Sequence, residues 1–331
     1  MSMTIYGELE EGLDFDDVLL MPRNISNVLS RKDVILTTAY RDKNGRVREL
    51  TPIFTAPMKN ISEPSVFKIF MDNEIIPIYH RFDSQSSREY NIKKLNTIGG
   101  VFGISIGANQ KELDFARDAY NSFENLEWIC IDIANGYLDI FKNLKIDIPK
   151  EAIITGNVVT KEGFRHLSRY SGYVRVGIGS GQQCTTREVT GIGCPQITAI
   201  SNCVLSEDEN TAAIISDGGI RSAADVMKAI AFGADHVMIG SLFGSALELD
   251  NEYIYGTASK RLQEEYYHNV RSVEGRVTHV NDKRPLQEII SNLFWNIKSA
   301  CTYLNISNLK SDSIYFNTKA IKINRSSLKN V

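Results

Sequence analysis

Ala213-Ile214-Ile215-Ser216-Asp217-Gly218-Gly219, then a helix-forming run 221–232, then His236-Val237-Met238-Ile239-Gly240-Ser241, is the stretch whose reading decides the fold. Short, wholly apolar runs bounded by glycine suit strands buried on both faces. A helix between two such strands makes a parallel βαβ unit. The unit recurs upstream. Ile53-Phe54-Thr55-Ala56, Ile75-Ile76-Pro77-Ile78-Tyr79, Val101–Ile106, Trp128–Ile133, Ala152-Ile153-Ile154-Thr155 and Tyr173-Val174-Arg175-Val176 bring the total to eight runs. Helical stretches are expected near Glu63–Asp72 and over 110–123, with a polar segment at 83–97. Eight alternating units predict a (β/α)8 TIM barrel. An open doubly wound sheet fits less well, because it usually carries a Gly-rich phosphate loop after its first strand and none follows Ala56. The reading is one α/β barrel domain over 1–331, with an N-terminal arm at about 1–50 and a C-terminal extension at about 250–331.

The polar residues fall at one end of these strands. Met58-Lys59-Asn60, His80-Arg81, Asp132-Ile133-Ala134-Asn135-Gly136, Gly156-Asn157, Gly177-Ile178-Gly179, Asp217-Gly218-Gly219 and Gly240-Ser241 each follow an apolar run. In a barrel all seven tails lie on the C-terminal rim, where active sites are built.

Composition narrows the function classes. Hydrophobic residues make up 43% and charged residues 23% of the 331, enough to bury a sizeable core. A net charge of −3 gives no chain-wide attraction to nucleic acid or to an anionic membrane, so phosphate recognition must be local. No run approaches a bilayer-spanning length, and the acidic Met1–Glu11 segment lacks the features of a signal peptide. A cytoplasmic location is expected. Five scattered cysteines, Cys130, Cys184, Cys194, Cys203 and Cys301, form no Cys-x-x-Cys pair, which argues against a disulfide framework or structural zinc. Most should be small buried apolar residues. The five histidines show no metal-ligand spacing, and only His80 stands at a strand end.

Cys184 is the exception among the thiols. It closes Gly177-Ile178-Gly179-Ser180-Gly181-Gln182-Gln183-Cys184, a loop whose glycines permit positive φ and close backbone approach. Thr185, Thr186 and Arg187 follow it, and a nearby cation with hydroxyl donors favours the reactive thiolate. The loops after the last two strands commonly bind phosphate through backbone N–H groups. Asp217 could accept from two ribose hydroxyls, although the glycines beside it would look the same if they only started helices 221–232 and 242–248. Arg271 and Glu274, in Arg271-Ser272-Val273-Glu274-Gly275-Arg276, read by composition as a solvated charged loop.

The motifs together resemble the IMP dehydrogenase/GMP reductase family over almost the whole chain. Gly12-Leu13-Asp14-Phe15-Asp16-Asp17-Val18-Leu19-Leu20-Met21-Pro22 resembles its opening segment. Cys130–Tyr137 and Gly156–Thr160 resemble its fourth and fifth strand ends, and Ser216–Ile220 with Met238–Ser241 its ribose and phosphate segments. Cys184-Thr185-Thr186-Arg187 followed by Gly191–Gln196 resembles its catalytic loop. The chain has no room for the CBS modules usual in the dehydrogenases, and no Arg-Tyr pair between Ser259 and Glu274 to activate water. Lys298–Leu304 with Leu309-Lys310, and Arg271-x-x-Glu274-Gly275, resemble the reductase branch.

The resemblance implies NADPH-dependent reductive deamination of GMP, or a related purine nucleotide, to IMP and ammonia through a covalent thioimidate on Cys184. Thr186 and Glu274 would relay protons. It implies substrate binding by Met58, Asp217, Gly218, Gly219, Gly240, Ser241, Tyr255, Gly256 and Arg271, and a dinucleotide side made by Arg81, Asp132, Ala134 and Gly136. It further implies a K⁺ ion held by the carbonyls of Gly179, Gly181 and Cys184, and a homotetramer. Two other readings stay open: an IMP dehydrogenase without CBS domains, making XMP from IMP and NAD, and a catalytically inactive nucleotide-binding relative. The chain departs from the pattern at Ser180 and Gln182, where the family has proline and a phosphate-binding serine. It departs also at Arg81 for lysine, Lys59 for aspartate, and Thr257-Ala258-Ser259 for Met-Ser-Ser.

Overall fold

The computed structural model describes residues 11–204, 212–267, 270, 273–309 and 319–323. Eight parallel strands form the barrel: β1 (Ile53–Thr55), β2 (Ile78–Tyr79), β3 (Phe102–Ile106), β4 (Leu126–Ile131), β5 (Ile153–Val158), β6 (Tyr173–Val176), β7 (Ala213–Asp217) and β8 (His236–Ile239). Each pairs in parallel with its sequence neighbour from β2 to β8, and β8 pairs with β1. A parallel bridge between Phe54 and Ile76 joins β1 to the chain entering β2. Pro77 interrupts that entry, because a residue without N–H cannot continue a ladder, so only 78–79 remain regular strand.

The alternation along each strand separates two cores. Phe54, Ile76, Ile78, Trp128, Cys130, Ile154, Ile215 and Met238 fill the barrel interior. Their neighbours Ile53, Ile129, Ile131, Ile153, Val174, Val176, Ile214 and Val237 pack outward under the helices. The outer helices are α1 (Phe67–Asp72), α2 (Gln85–Asn96), α3 (Gln110–Ser122), α4 (Lys161–Leu167), α5 (Thr186–Thr190), α6 (Gln196–Val204), α7 (Ala223–Ala231), α8 (Ser241–Gly244), α9 (Lys260–Leu262) and α10 (Leu286–Leu304). The polar segment 83–97 is therefore helical. Ser84 caps it by accepting from Ser87 N–H at 3.3 Å, and Ile92 and Leu95 supply its buried face.

A hairpin, Thr38–Arg41 with Val47–Leu50, closes the N-terminal end of the barrel. The Tyr40 ring packs at a tilt against Trp128, 5.1 Å between ring centres, and its hydroxyl donates to Glu127 Oε2 at 3.0 Å. The Lys43 ammonium donates to the carbonyls of Tyr120 and, at 2.8 Å, Phe123. Burial raises both the Glu127 carboxyl and the Tyr40 hydroxyl. At the opposite end, Tyr253–Tyr255 and Val277–His279 make an antiparallel hairpin. Farther along, α10 packs against α7 and α8. Ala320–Lys322 pairs with Val18–Leu20, joining the tail to the arm.

Candidate active site

β6 ends at Val176 and the chain turns through Gly177 with φ +145°. A Cβ there would stand 2.1 Å from the Asp217 carbonyl, so the loops after β6 and β7 touch at backbone distance and glycine is required. Ser180 Oγ donates to that same carbonyl at 3.3 Å, and Gly218 and Gly219 pass beside the Ser180–Gly181 backbone. Gln182 is exposed, whereas Gln183 is buried.

Cys184 Sγ lies 3.1 Å from Thr186 Oγ1, and Thr186 Oγ1 donates to Glu274 Oε2 at 2.9 Å. A hydroxyl has one proton, and a carboxylate only accepts. With the Thr186 proton directed to Glu274, the thiol must donate to Thr186. The three side chains thus form a directed path from Sγ–H to a carboxylate. Glu274 is brought 88 residues along the chain to do this. Its N–H donates to the Ala258 carbonyl at 3.1 Å and its carbonyl accepts from Thr185 N–H at 3.0 Å. The segment read by composition as a solvated loop is therefore built into the site.

Arg187 does not serve as the expected cation beside the thiol. Its guanidinium donates to Asp14 Oδ2 at 3.3 Å and to the Cys194 carbonyl. Its stem runs beneath Gly179, φ +76°, where a Cβ would come within 2.3 Å of Arg187 Cγ. The charge holds the N-terminal arm to the loop.

Around the mouth, charges alternate from strand to strand. Arg81 Nε stands 3.4 Å from Asp132 Oδ2, Asp132 Oδ1 accepts from Arg175 Nη2 at 3.1 Å, and Arg175 Nη1 lies 3.7 Å from Asp217 Oδ2. Asn157 Nδ2 donates to Asp217 Oδ2 at 2.8 Å and to the Gly177 carbonyl at 2.9 Å. Burial raises the Asp217 carboxyl, opposed by Arg175 and Asn157. Burial would lower Arg175, but Cys130, Asp132 and Asp217 outweigh it and hold the guanidinium above its ordinary value. Among the described residues, Arg175 Nε is buried with no hydrogen-bond partner. Arg175 lies outside the seven strand-end tails read from the sequence, whereas Asn157 lies in one of them without an assigned role. The signal for Arg175 was a charge at the inward phase of a strand whose alternate residues, Val174 and Val176, face the helices.

The remaining expected residues divide by location. Met58 Sδ sits 3.0 Å from where a Gly240 Cβ would be, and Ser241 opens α8 beside it. Gly256 lies against Gln183. Tyr255 packs with Phe82 and Leu262, with the Arg261 guanidinium 5.0 Å from its ring centre, and burial raises its hydroxyl. Ala134 is exposed on the rim. Gly136 N–H donates to the Asn157 carbonyl at 3.0 Å, a close packing role. The Gly181 carbonyl accepts from Cys184 N–H at 2.9 Å. Arg271 lies outside the described residues. His80 is fully buried and its Nδ1 accepts from Phe82 N–H at 3.2 Å. Burial pushes the Cys130 and Cys203 thiols up to about 12, out of the reactive range, as expected for the other cysteines. Among the described residues no three His, Cys, Asp or Glu side chains could share a metal ion, and no helix is long and apolar enough to cross a membrane.

The site defines a class: a parallel barrel whose rim mounts a thiol, a hydroxyl and a carboxylate in one hydrogen-bonded chain, beside the half-buried carboxylate of Asp217. The IMP dehydrogenase / GMP reductase domain matches residues 12–330, and the chain belongs to that family. It is 30% identical to GMP reductase of Ascaris suum over 325 residues, covering 92% of this chain and 91% of that one. It is 31% identical to the Onchocerca volvulus GMP reductase, covering 92% and 89%. With the Staphylococcus carnosus (strain TM300) GMP reductase it shares 32% identity over 316 residues, 90% of this chain and 93% of that one. The coarse assignment that these relatives support is an enzyme of the oxidoreductase class.

Proposed function

We propose that this protein is a GMP reductase, converting GMP, or a closely related purine nucleotide, to IMP and ammonia at the expense of NADPH. The observation that carries the reading is the path Cys184–Thr186–Glu274, with steps of 3.1 and 2.9 Å. Cys184 gives its proton through Thr186 to Glu274 and attacks purine C2, forming a C2–S bond. Glu274 returns a proton to the 2-amino group, the C2–N bond breaks, and ammonia leaves instead of an amide anion. The thioimidate then holds C2 as an electrophile. A reduced nicotinamide, when bound, supplies hydride to C2. The C2–S bond then breaks and Cys184 recovers its thiolate.

Asp217 would accept from the ribose hydroxyls, held by Asn157 and Arg175. Met58, Gly218, Gly219, Gly240, Ser241, Tyr255, Gly256 and Arg271 would complete the nucleotide side. The Arg81–Asp132 pair and the exposed rim at Ala134 suit a polar dinucleotide group, so Arg81, Asp132, Ala134 and Gly136 would line that side. Neutral carbonyls of Gly179, Gly181 and Cys184 suit a monovalent cation such as K⁺, which would stiffen the loop. The same reading makes the chain a single barrel domain, cytoplasmic and homotetrameric.

The test is NADPH oxidation with stoichiometric ammonia release from GMP, both abolished by Cys184→Ala. XMP formed from IMP and NAD would instead make it a dehydrogenase. Nucleotide binding by calorimetry with no turnover under either condition would make it a binding protein.

A further inference from the structure

Glu274, Arg276 and Thr278 stand at alternate positions of one extended segment, so their side chains leave it on the same side. All three meet the nucleophile loop or the helix that follows it. Glu274 accepts from Thr186, Arg276 pairs with Glu188 on α5, and Thr278 Oγ1 donates to Gln183 Oε1 at 2.9 Å. The backbone repeats the match. Thr185 N–H donates to the Glu274 carbonyl at 3.0 Å and Arg276 N–H to the Gln183 carbonyl at 2.8 Å, bracketing an antiparallel bridge between Cys184 and Gly275. A one-residue slip would turn Glu274 to the opposite face and empty the relay.

The hairpin with Tyr253–Tyr255 registers this segment against its own partner strand, but only the single Cys184–Gly275 bridge aligns it with the nucleophile loop. The Arg276–Glu188 pair is exposed on both sides and adds little. Gln183 is different: it is 6% exposed, its amide oxygen accepts from Thr278 Oγ1 in a part-buried bond, and a slip of the segment would carry that donor away.

We propose that Gln183 and Thr278 are positioning residues whose hydrogen bond sets the register that delivers Glu274 to Thr186. Neither residue touches the reacting atoms. The inference rests on the reductase reading for its kinetic consequence, while the seating of the segment stands apart from it.

The test uses the full chain with Thr278→Val, Thr278→Ser, Gln183→Leu and Arg276→Gln. Thr278→Val should lower kcat about tenfold, the size of one lost hydrogen bond, with KM for GMP within about twofold. Thr278→Ser should restore kcat. In parallel, amide hydrogen exchange should quicken across 273–279 in Thr278→Val and not in Thr278→Ser, with the barrel strands unchanged. Gln183→Leu repeats the loss from the other partner should Thr278→Val fold poorly, and Arg276→Gln should have a small effect on both readouts. Unchanged exchange in Thr278→Val, faster exchange with unchanged kcat, or failure of serine to rescue would each overturn the proposal. Absence of GMP turnover in the unmodified protein would sink the reductase reading, and the exchange comparison would still decide whether the bond seats the segment.

Discussion

Thr186→Val is the substitution that separates the relay from everything else at the site. Valine keeps the shape and removes the one hydroxyl that lies 3.1 Å from Cys184 Sγ and 2.9 Å from Glu274 Oε2. The thiol loses its acceptor and the carboxylate loses its donor, while Asp217 and its partners Asn157 and Arg175 are untouched. Positioned proton transfer contributes roughly 10²–10⁴-fold. The expected result is a fall in kcat of at least about 100-fold, or ~2.7 kcal/mol at 1.36 kcal/mol per decade. KM for GMP should move by no more than about twofold, because the lost interaction belongs to the transition state. The loss of the two hydrogen bonds should cost about 1 kcal/mol of stability, visible as a drop in Tm of about 2–4 °C. The assay follows absorbance of the reduced nicotinamide together with released ammonia, with calorimetry confirming nucleotide binding. A kcat within about threefold of the unmodified protein would refute a relay through Thr186, since that is well below what general acid–base transfer supplies.

Other outcomes follow from the same geometry. Burial raises the Asp217 carboxyl, so on acidification it takes up a proton sooner than an ordinary aspartate and ceases to be a full acceptor. KM for the nucleotide should therefore rise on the acid side; a KM flat with pH down to the ordinary carboxylate range would refute this. The sign for stability is opposite: the raised group favours the fold most below its unfolded pKa, and that contribution is lost as pH rises through the folded one. Gly179→Ala should lower both Tm and kcat, because a Cβ at φ +76° would stand 2.3 Å from Arg187 Cγ and displace the Asp14–Arg187 contact. An alanine protein with normal Tm would show the loop has room. Trp128→Ala should cost about 3–5 kcal/mol by chemical denaturation, since Trp128 is almost fully buried between Tyr40 and Phe54 in the barrel interior. A loss under about 1 kcal/mol would mean the interior collapses around the gap.

The barrel was legible because its signal is local. Each apolar run is a strand long, and the turn residues after it are adjacent in sequence, so eight strands and their polar tails follow without knowing what touches what. Local detail is set where particular side chains override the composition of a run. Pro77 cut the second strand short, and the Ser84 cap with Ile92 and Leu95 made a helix of a segment whose composition is polar. Cys184 was legible for the same local reason: it ends a glycine loop after β6 and precedes two hydroxyls.

Tertiary structure decided what those residues do to one another. Sequence gave no reason to join Glu274 to Thr186 across 88 positions, beyond the family resemblance; the joining depends on a hairpin returning over the rim. Arg187 looked like the thiol's cation because it is three residues away, yet its charge goes to Asp14, 173 residues distant, because its stem must thread under Gly179. Arg175 looked like one polar residue in a strand, and closure of the barrel set it between two carboxylates from other strands. Chemistry-bearing residue types and the end of the barrel they occupy are properties of sequence, since they follow from period and turn chemistry. Which hydroxyl meets which carboxylate depends on distances between strands and loops far apart in the chain, and only the closed barrel fixes those.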